Sequence, residues 1–499
     1  MQAFCETGFW RDACVLSRWL RLKLTLGLCL ALAACAAPQL PTPQSAAPAP
    51  AAAQTPAASA QASADKARLA RVFGGEFSAP TAERFLNDIL VRLAPASEEP
   101  SLTYRVTLLN SPVVNAFALP SGDIFLTRGL LALANDASEV AAVMAHEIAH
   151  VSARHAAQRA ELERTALLFS RVSHEVLDQP AAEQGPDAQA KLTIAHFSRQ
   201  QEFEADKIGI KNIAKAGYDP FAAARFLTSL GRWSAARAAT PGQNGNGAKP
   251  DMMATHPSTP ERIAQAILEA RQFGAPGVGD NGRDAYLTAI DDLAFGDDPA
   301  QGVVRGVNFI HARLGFVFAA PPGFTLENQS AALVCVGEGG GEAIRLDNVL
   351  DKDGRTLESA IASDWIDGVK TDSIQSLKLN DLPAATATAQ GAQWSFRLAA
   401  IRLNGRVIRL IYAARNFSPD AEARFQRALN SFRRASPEDI AAAQFAHIRI
   451  IEAQAGDSAE ILAQRMGDGG SALEHFLLLN GLDRGARIAT GQRYKIAAL

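Results

Sequence analysis

Histidines and a glutamate lie within one short apolar run, "VMAHEIAHVSARH", between Val143 and His155. His146 and His150 are four residues apart, so a helix would project both imidazoles from one face, one turn above the other. Imidazoles in this arrangement can bind a single zinc ion through one nitrogen each. Glu147 lies one step round the helix, where its carboxylate can act as general base on a water molecule that the metal makes acidic. The run predicts a hydrolytic zinc centre, with a histidine-bearing core helix as the alternative.

A second stretch, "SRQQEFEADKIGIKNIAKAGYDP", supplies carboxylates. A catalytic zinc site needs a third protein ligand, and carboxylate is a standard choice. Glu202 and Asp206 are four residues apart on a predicted helix, so Glu202 can be that ligand while Asp206 accepts the free ring N–H of a ligand histidine. Glu204 competes with Glu202, but it lies about 200° round the helix from it and does not pair with Asp206. The alternative is a solvated acidic helix face.

Together with "NAFALPSGDIFLTRGLL" upstream, the stretches "HEIAH", "SRQQEFEAD" and "AGYDP" resemble the family-48 zinc metallopeptidases. This gluzincin-type group includes HtpX, the CAAX prenyl proteases and a soluble periplasmic BepA-like branch. The resemblance implies that His146, His150 and Glu202 bind one Zn²⁺ per chain and that Glu147 is the catalytic base. HtpX and the prenyl proteases have membrane helices around the site, whereas this sequence has none around these residues. The difference favours the soluble periplasmic branch.

A Thr-His-Pro element of the same family is matched by "MMATHPSTPERI". His256 is therefore predicted to approach the metal. There it would stabilise the oxyanion of the reaction or occupy the open metal position and hold the enzyme latent. The alternative is a helix-capping segment whose histidine is incidental.

The stretch "GDIFLTRG" is expected to form an edge strand beside the cleft, where its free main-chain groups can pair with an extended peptide. Gly122 and Ile124 belong to this strand, and Asn115 and Ala116 in the neighbouring "NAFA" are expected to line the same cleft. Main-chain pairing ignores side chains, so unfolded or misassembled protein is the predicted substrate. His155 is expected to lie at the surface or to support a ligand rather than to bind the metal.

The elements that position these residues predict an α+β multidomain protein. Residues 65–300 have a mainly helical pattern with a short sheet, as a protease domain. Residues 301–437 alternate strand-like runs with helices, which predicts an antiparallel α+β sandwich with its helices on one face, weakly similar to PsbP/Mog1-like domains. Residues 445–499 have a strand, helix, helix, strand pattern and resemble the LysM module, which binds glycan chains such as peptidoglycan. A docking domain is the alternative for this last segment.

The N-terminal region predicts export and anchoring. Residues 1–34 combine basic residues with a short apolar stretch that ends in "LAAC", which is typical of a lipoprotein signal peptide with Cys35 as the lipidated residue. Residues 35–64 are rich in Ala and Pro and carry no charge, so they are predicted to be an extended tether. The alternative is an ordinary signal peptide with a chance cysteine.

Composition narrows the class of function further. The protein has 499 residues and a formal net charge of −3, which gives no electrostatic case for a nucleic-acid partner. We expect a lipid-anchored zinc endopeptidase at the periplasmic face of the outer membrane. It would hydrolyse misfolded or misassembled envelope proteins, near peptidoglycan or an outer-membrane assembly machine. The alternative is an envelope assembly or chaperone-like binding factor with a latent or structural zinc site, tethered to peptidoglycan.

Overall fold

The computed structural model describes most of the sequence that follows the predicted tether. The described residues are 66–161, 197–239, 252–329, 332–351, 355–362, 365–466 and 472–498. The predicted signal peptide, the tether and the lipidation site Cys35 lie outside them. In this described part of the protein, no helix is both long and apolar enough to cross a membrane.

The first half of the described sequence is mainly helical around a three-stranded sheet. Its strands are β1 (Arg105–Leu109), β2 (Ala116–Ala118) and β3 (Asp123–Thr127). Its helices are α1 (Pro80–Leu93), α2 (Arg128–Leu133), α3 (Ala137–Ser152), α4 (Arg199–Lys215), α5 (Ala222–Ala239), α6 (Met252–Thr255), α7 (Pro260–Ala270) and α8 (Arg283–Ile290). A strand β4 (Ala294–Phe295) follows them.

β3 lies in the centre of the three-stranded sheet, parallel to β1 and antiparallel to β2. Every residue of β3 is buried. The prediction that this stretch is an edge strand is therefore wrong, because the main-chain N–H and C=O groups of a central strand form hydrogen bonds with both neighbouring strands. β2 is one of the two outer strands of this sheet, and among the described strands it pairs only with β3.

α3 carries the "HEIAH" stretch and is enclosed on all sides. Its N-cap is Asp136, whose side chain accepts a hydrogen bond from the N–H of Glu139. All residues from 137 to 150 are buried, as expected for a helix whose residues are mostly apolar or small around the whole circumference. The helix ends just before Arg154, which adopts a left-handed conformation with φ 56°. A new helical segment, 155–161, then begins.

α4 packs against α3 and brings the acidic stretch to the histidines. It begins with a capping box, in which Ser198 and Gln201 each bond the other's main-chain N–H. Gly209 permits the close approach, since a Cβ at this position would lie 3.1 Å from the backbone nitrogen of His146.

The middle of the protein forms two antiparallel sheets. Its elements are β5 (Val303–Arg305), β6 (Asn308–His311), β7 (Phe316–Ala319), β8 (Phe324–Asn328), β9 (Leu333–Gly337), β10 (Glu342–Leu350), α9 (Leu357–Ala362), β11 (Val369–Leu379), β12 (Leu382–Gln390), β13 (Ser395–Leu403), β14 (Arg406–Ala414), α10 (Pro419–Ser431), β15 (Arg433–Arg434) and α11 (Pro437–Ala442). The larger sheet has the order β11-β12-β13-β14-β10-β9-β8, and the smaller one has the order β15-β7-β6-β5.

Helices cover both faces of the larger sheet. Phe425 of α10 belongs to the apolar core on one face, and Ile361 of α9 belongs to the core on the other. In β13 the neighbours Ala399 and Ala400 enter opposite cores. The expectation of helices on one face is therefore wrong. The uninterrupted apolar run at 398–401 is the sequence signal for this, because a strand covered on both faces has no polar alternation.

The last described segment has a strand–helix–helix–strand order. It consists of β16 (Ala446–Glu452), α12 (Ala459–Ala463), α13 (Ala472–Leu479) and β17 (Arg493–Ala498). β16 pairs antiparallel with β17 and, on its other side, with β4. One apolar core runs from Ala82 in α1 to Ala497 in β17, so this segment is packed into the helical half. The protein is thus α+β, helical first and with antiparallel sheets later, while its LysM likeness and domain boundaries stay predictions.

Candidate metal centre

α3 and α4 direct three donor atoms towards one point. The Nε2 atoms of His146 and His150 are 3.0 Å apart. The carboxylate of Glu202 places one oxygen 3.5 Å from the Nε2 of His146 and the other 3.4 Å from the Nε2 of His150. Ligand atoms of a tetrahedral zinc, at about 2.0–2.1 Å from the ion, lie roughly 3.3 Å from one another. The three side chains therefore fit a single zinc ion.

His256 is the fourth member of this cluster. Its Nδ1 lies 3.2 Å from the Nε2 of His146 and 2.9 Å from Oε1 of Glu202. One ligand atom from each of the four residues falls within 4.8 Å of all the others. α6 holds the ring there, because the N–H of Met252 donates to the carbonyl of Val114 beside β2. His256 thus offers a fourth donor atom to the same cluster.

Glu147 lies beside the cluster and is 1% exposed. Its Oε1 is 3.6 Å from the Nε2 of His256 and has no hydrogen-bond partner among the described residues. A buried carboxylate oxygen without a donor is costly and calls for an explanation. A water molecule or substrate group at the metal would supply that donor, so the orphaned oxygen also fits a metal centre.

Asp206 and Arg262 contact the candidate ligands and hold them in position. Oδ1 of Asp206 is 2.9 Å from the Nδ1 of His146. Arg262 donates to both oxygens of Asp206, at 2.8 and 2.7 Å, and its Nη1 lies 2.7 Å from Oε2 of Glu202. Arg262 is not among the residues that the sequence motifs predict for the site. The signal was available, because two buried carboxylates on one helix require a cation nearby.

Electrostatics keep the carboxylates charged. Burial raises the pKa of Glu202, but the neighbouring histidines, His256 first, hold it well below its usual range. Burial likewise opposes ionisation of Asp206, and hydrogen bonds from His146 and Arg262 lower its pKa. Burial lowers the pKa of His146, whereas its hydrogen bonds to the two carboxylates raise it, to about 10 in the metal-free protein. A buried pair of ionised carboxylates favours a bound cation.

A cavity of about 290 Å³ opens beside Glu147, His150 and His256. Its remaining walls are mainly apolar, and the apolar side chains are those of Leu102, Phe117, Ala118, Pro120, Val151, Ala156, Ala157 and Phe197. The edge strand β2 forms one wall through Phe117 and Ala118.

The four residues predicted to line a substrate strand are not among the residues that line this cavity. All four are buried, and they are Asn115, Ala116, Gly122 and Ile124. Asn115, for example, is tied to β3 through a main-chain hydrogen bond from its N–H to the hydroxyl of Thr127. Ala116 is the first residue of β2, whose Phe117 and Ala118 line the cavity, and a role of the four residues in substrate binding stays a prediction.

Comparison with known proteins agrees with the geometry. Residues 80–270 match Peptidase family M48. The protein is 30% identical over 226 residues to the beta-barrel assembly-enhancing protease of Escherichia coli, covering 43% of this chain and 44% of that protein. It is 35% identical over 177 residues to the mitochondrial metalloendopeptidase OMA1 of Arabidopsis thaliana, covering 35% of this chain and 33% of that protein. The matched part thus spans less than half the length of these curated relatives.

A solved structure, cyanobacterial PsbP from Synechocystis, aligns over 27% of this chain and 98% of its own, with a TM-score of 0.21 and 12% identity. A similarity at this level supports no conclusion about the middle sheets. The M48 match, in contrast, contains His146, His150, Glu202 and the neighbouring Glu147. Residues 80–270 therefore form a peptidase family M48 domain.

Proposed function

We propose that the protein is a zinc-dependent endopeptidase. The observation that carries the proposal is the buried cluster in which His146, His150 and Glu202 present donor atoms to one point beside the orphaned oxygen of Glu147. Zinc held there would supply Lewis acidity and make a water molecule more acidic. Glu147 would take the proton of that water and pass it to the amine that leaves as the peptide bond breaks.

Purified wild-type, Glu147→Gln and Glu202→Ala proteins test this proposal. Wild type should contain stoichiometric zinc and cleave casein. Glu147→Gln should keep its zinc and lose activity by about 10²–10⁴-fold, because the base is gone and the ligands are intact. Glu202→Ala should lose zinc. Wild type without stoichiometric zinc, or a Glu147→Gln protein as active as wild type, would refute the assignment.

We infer that the substrates are unfolded or misassembled envelope proteins. The free edge of β2 and the apolar cavity beside it suit an extended chain, since main-chain pairing selects for extension rather than for one sequence. The name of the Escherichia coli relative, a beta-barrel assembly-enhancing protease, supports a role near beta-barrel proteins during their assembly. Unfolded outer-membrane protein should be cleaved faster than its folded barrel, and equal rates would argue against this substrate class.

The proposed location is the periplasmic face of the outer membrane, with lipidated Cys35 as the anchor. The C-terminal segment, residues 445–499, would contact peptidoglycan or an assembly machine. Cys35→Ala protein should leave the membrane fraction. Sedimentation with purified peptidoglycan, with and without residues 445–499, tests the glycan contact.

A second candidate function is an envelope assembly or chaperone-like factor whose zinc site is latent. The position of His256 favours it, because four protein donors leave no place at a tetrahedral ion for water or substrate. His256→Ala should raise the casein-cleavage rate at least several-fold if the ring blocks the site, and lower it if the ring stabilises the oxyanion. An unchanged rate removes His256 from the mechanism. If casein stays uncut and Glu147→Gln still complements a deletion, the binding function is the correct one.

A further inference from the structure

His155 lies behind the metal centre and is fully buried, with 0% exposure. Its Nδ1 is 2.9 Å from the Nδ1 of His150, the ring nitrogen that faces away from the other ligands. Its Nε2 is 3.4 Å from Oε2 of Glu204, a carboxylate on α4 whose side chain is 54% exposed. Both ring nitrogens of His155 therefore have partners, and they connect His150 to the protein surface.

The contacts permit one arrangement of protons when a metal is bound. If Nε2 of His150 gives its lone pair to the metal, the ring proton must be on Nδ1, which then donates to His155. The Nδ1 of His155 must accept, so the proton of this neutral ring is on Nε2. That N–H points at the Glu204 carboxylate, which can only accept. The series of hydrogen bonds is complete and has one direction.

The backbone is bent at the place that makes this contact possible. On a continuous helix, residue 155 would lie about 140° round the axis from His150. Arg154 instead adopts a left-handed conformation, φ 56°, which a non-glycine residue adopts at a cost of about 1–2 kcal/mol per residue. This bend separates α3 from the segment 155–161 and accompanies the return of the His155 ring to His150. Local strain that the structure retains beside a functional group points to a role for that group.

The two histidine ligands are thus held in different ways. His146 has the carboxylate of Asp206 directly on its Nδ1. His150 has a neutral imidazole there and, across it, a carboxylate, while Phe197 stacks on its ring face at a centroid distance of 3.9 Å. We propose that His155 is a positioning residue for His150, which fixes the tautomer and ring orientation of that ligand through a relay to Glu204. This inference rests on the proposed function of the site.

Zinc affinity, measured by chelator competition on the full-length protein, tests the relay without using activity. His155→Phe keeps the ring shape but cannot accept the His150 proton, so it should bind zinc about 10–100-fold more weakly. His155→Gln should recover most of the affinity, because its amide oxygen can accept from His150 and its NH₂ group can donate to Glu204. A merely structural role predicts the opposite, since phenylalanine fills a buried ring site better than glutamine does.

Glu204→Ala keeps the test decisive if His155→Phe does not fold, because Glu204 is largely exposed. It should weaken zinc binding about two- to fivefold, the range expected for one partly exposed hydrogen bond. Glu98→Ala is the matched control: Glu98 is also exposed and pairs with α4, through Lys211 at 2.8 Å, but contacts no ligand. Its zinc affinity should equal that of wild type. Wild-type affinity in folded His155→Phe or in Glu204→Ala overturns the relay, whereas a wild-type protein that binds no zinc overturns the proposed function instead.

Discussion

At the scale of single residues, the centre depends on side chains that hold the ligands as much as on the ligands. Arg262 contacts Asp206 and Glu202 and also donates to the carbonyl of Pro257, the residue after His256. One guanidinium therefore joins the carboxylate ligand, the partner of a histidine ligand and the segment that carries the fourth donor. Its planar fork matches this task, which a lysine ammonium cannot reproduce.

Arg262→Lys should therefore weaken zinc binding about tenfold or more while preserving the charge. The reason is geometric, because a single ammonium cannot reach two carboxylates and a carbonyl together. Arg225→Lys is the control, since Arg225 also joins carboxylates, Asp136 and Asp219, but touches no ligand. Chelator competition should separate the two variants, and equal zinc affinities would show that the fork of Arg262 does not matter.

Part of this arrangement can be predicted from the residue spacing in the sequence, and part of it cannot. The four-residue spacings bring together His146, His150, Glu202 and Asp206, because periodicity along one helix is a local property. Contacts of Arg262 and His155 depend on how separate elements meet, so spacing alone does not predict them. The contact between His155 and His150 is especially hard to predict. A helix extended through Arg154 would not contain the left-handed residue that redirects the backbone.

At the scale of elements, the site is made by the contact between α3 and α4. The motif residues are on different helices, so the distance between the helix axes decides whether Glu202 reaches the histidines. Gly209 sets that distance at the level of His146. Glycine in a helix interior costs roughly 0.5–1 kcal/mol relative to alanine, which the close packing offsets.

Gly209→Ala should separate the helices and lower both stability and zinc affinity. The added Cβ would lie 3.1 Å from a backbone nitrogen, which cannot move aside as a side chain can. Overpacking of this kind costs about 1–3 kcal/mol. Gly231→Ala on α5 is the control, because its Cβ would meet only the Ser258 hydroxyl oxygen at 3.6 Å. That variant should be unchanged or stabilised by up to about 1 kcal/mol in thermal unfolding, and destabilisation of both variants alike would contradict the argument.

The order of the strands in the three-stranded sheet is less predictable from the sequence than the helices are. β2 and β3 are both short and apolar, and which of them lies at the edge is decided by the parallel pairing of β3 with β1. The length and residues of the connection between β1 and β3 would allow either β2 or β3 to lie at the edge. The helical motif faces, in contrast, follow from the fixed 3.6-residue period.

At the scale of the whole molecule, the C-terminal segment supports the N-terminal end of the metal-binding helix. Lys495 of β17 is fully buried and donates to the carbonyls of Ala132, at 2.8 Å, and Ala134, just before α3 begins. It also contacts the hydroxyl of Tyr286 at 3.2 Å. A segment that resembles a separable glycan-binding module in sequence thus closes the core of the peptidase half.

Lys495→Met should destabilise the peptidase half, because the carbonyls of Ala132 and Ala134 lose their donor, and each buried unsatisfied group costs about 1–3 kcal/mol.

Burial lowers the pKa of Lys495 to about 7, below its value in the unfolded protein. The folded state then releases a proton that the unfolded state keeps, so stability rises with pH between about 7 and 10 and is lost as pH falls through the folded pKa. The difference in melting temperature between wild type and Lys495→Met should therefore widen from pH 7 to pH 10. Lys211→Met, at an exposed pair with Glu98, should show neither the loss nor the pH dependence. A wild-type melting temperature in Lys495→Met, or a difference that does not change with pH, would mean that β17 does not support the helix through this side chain.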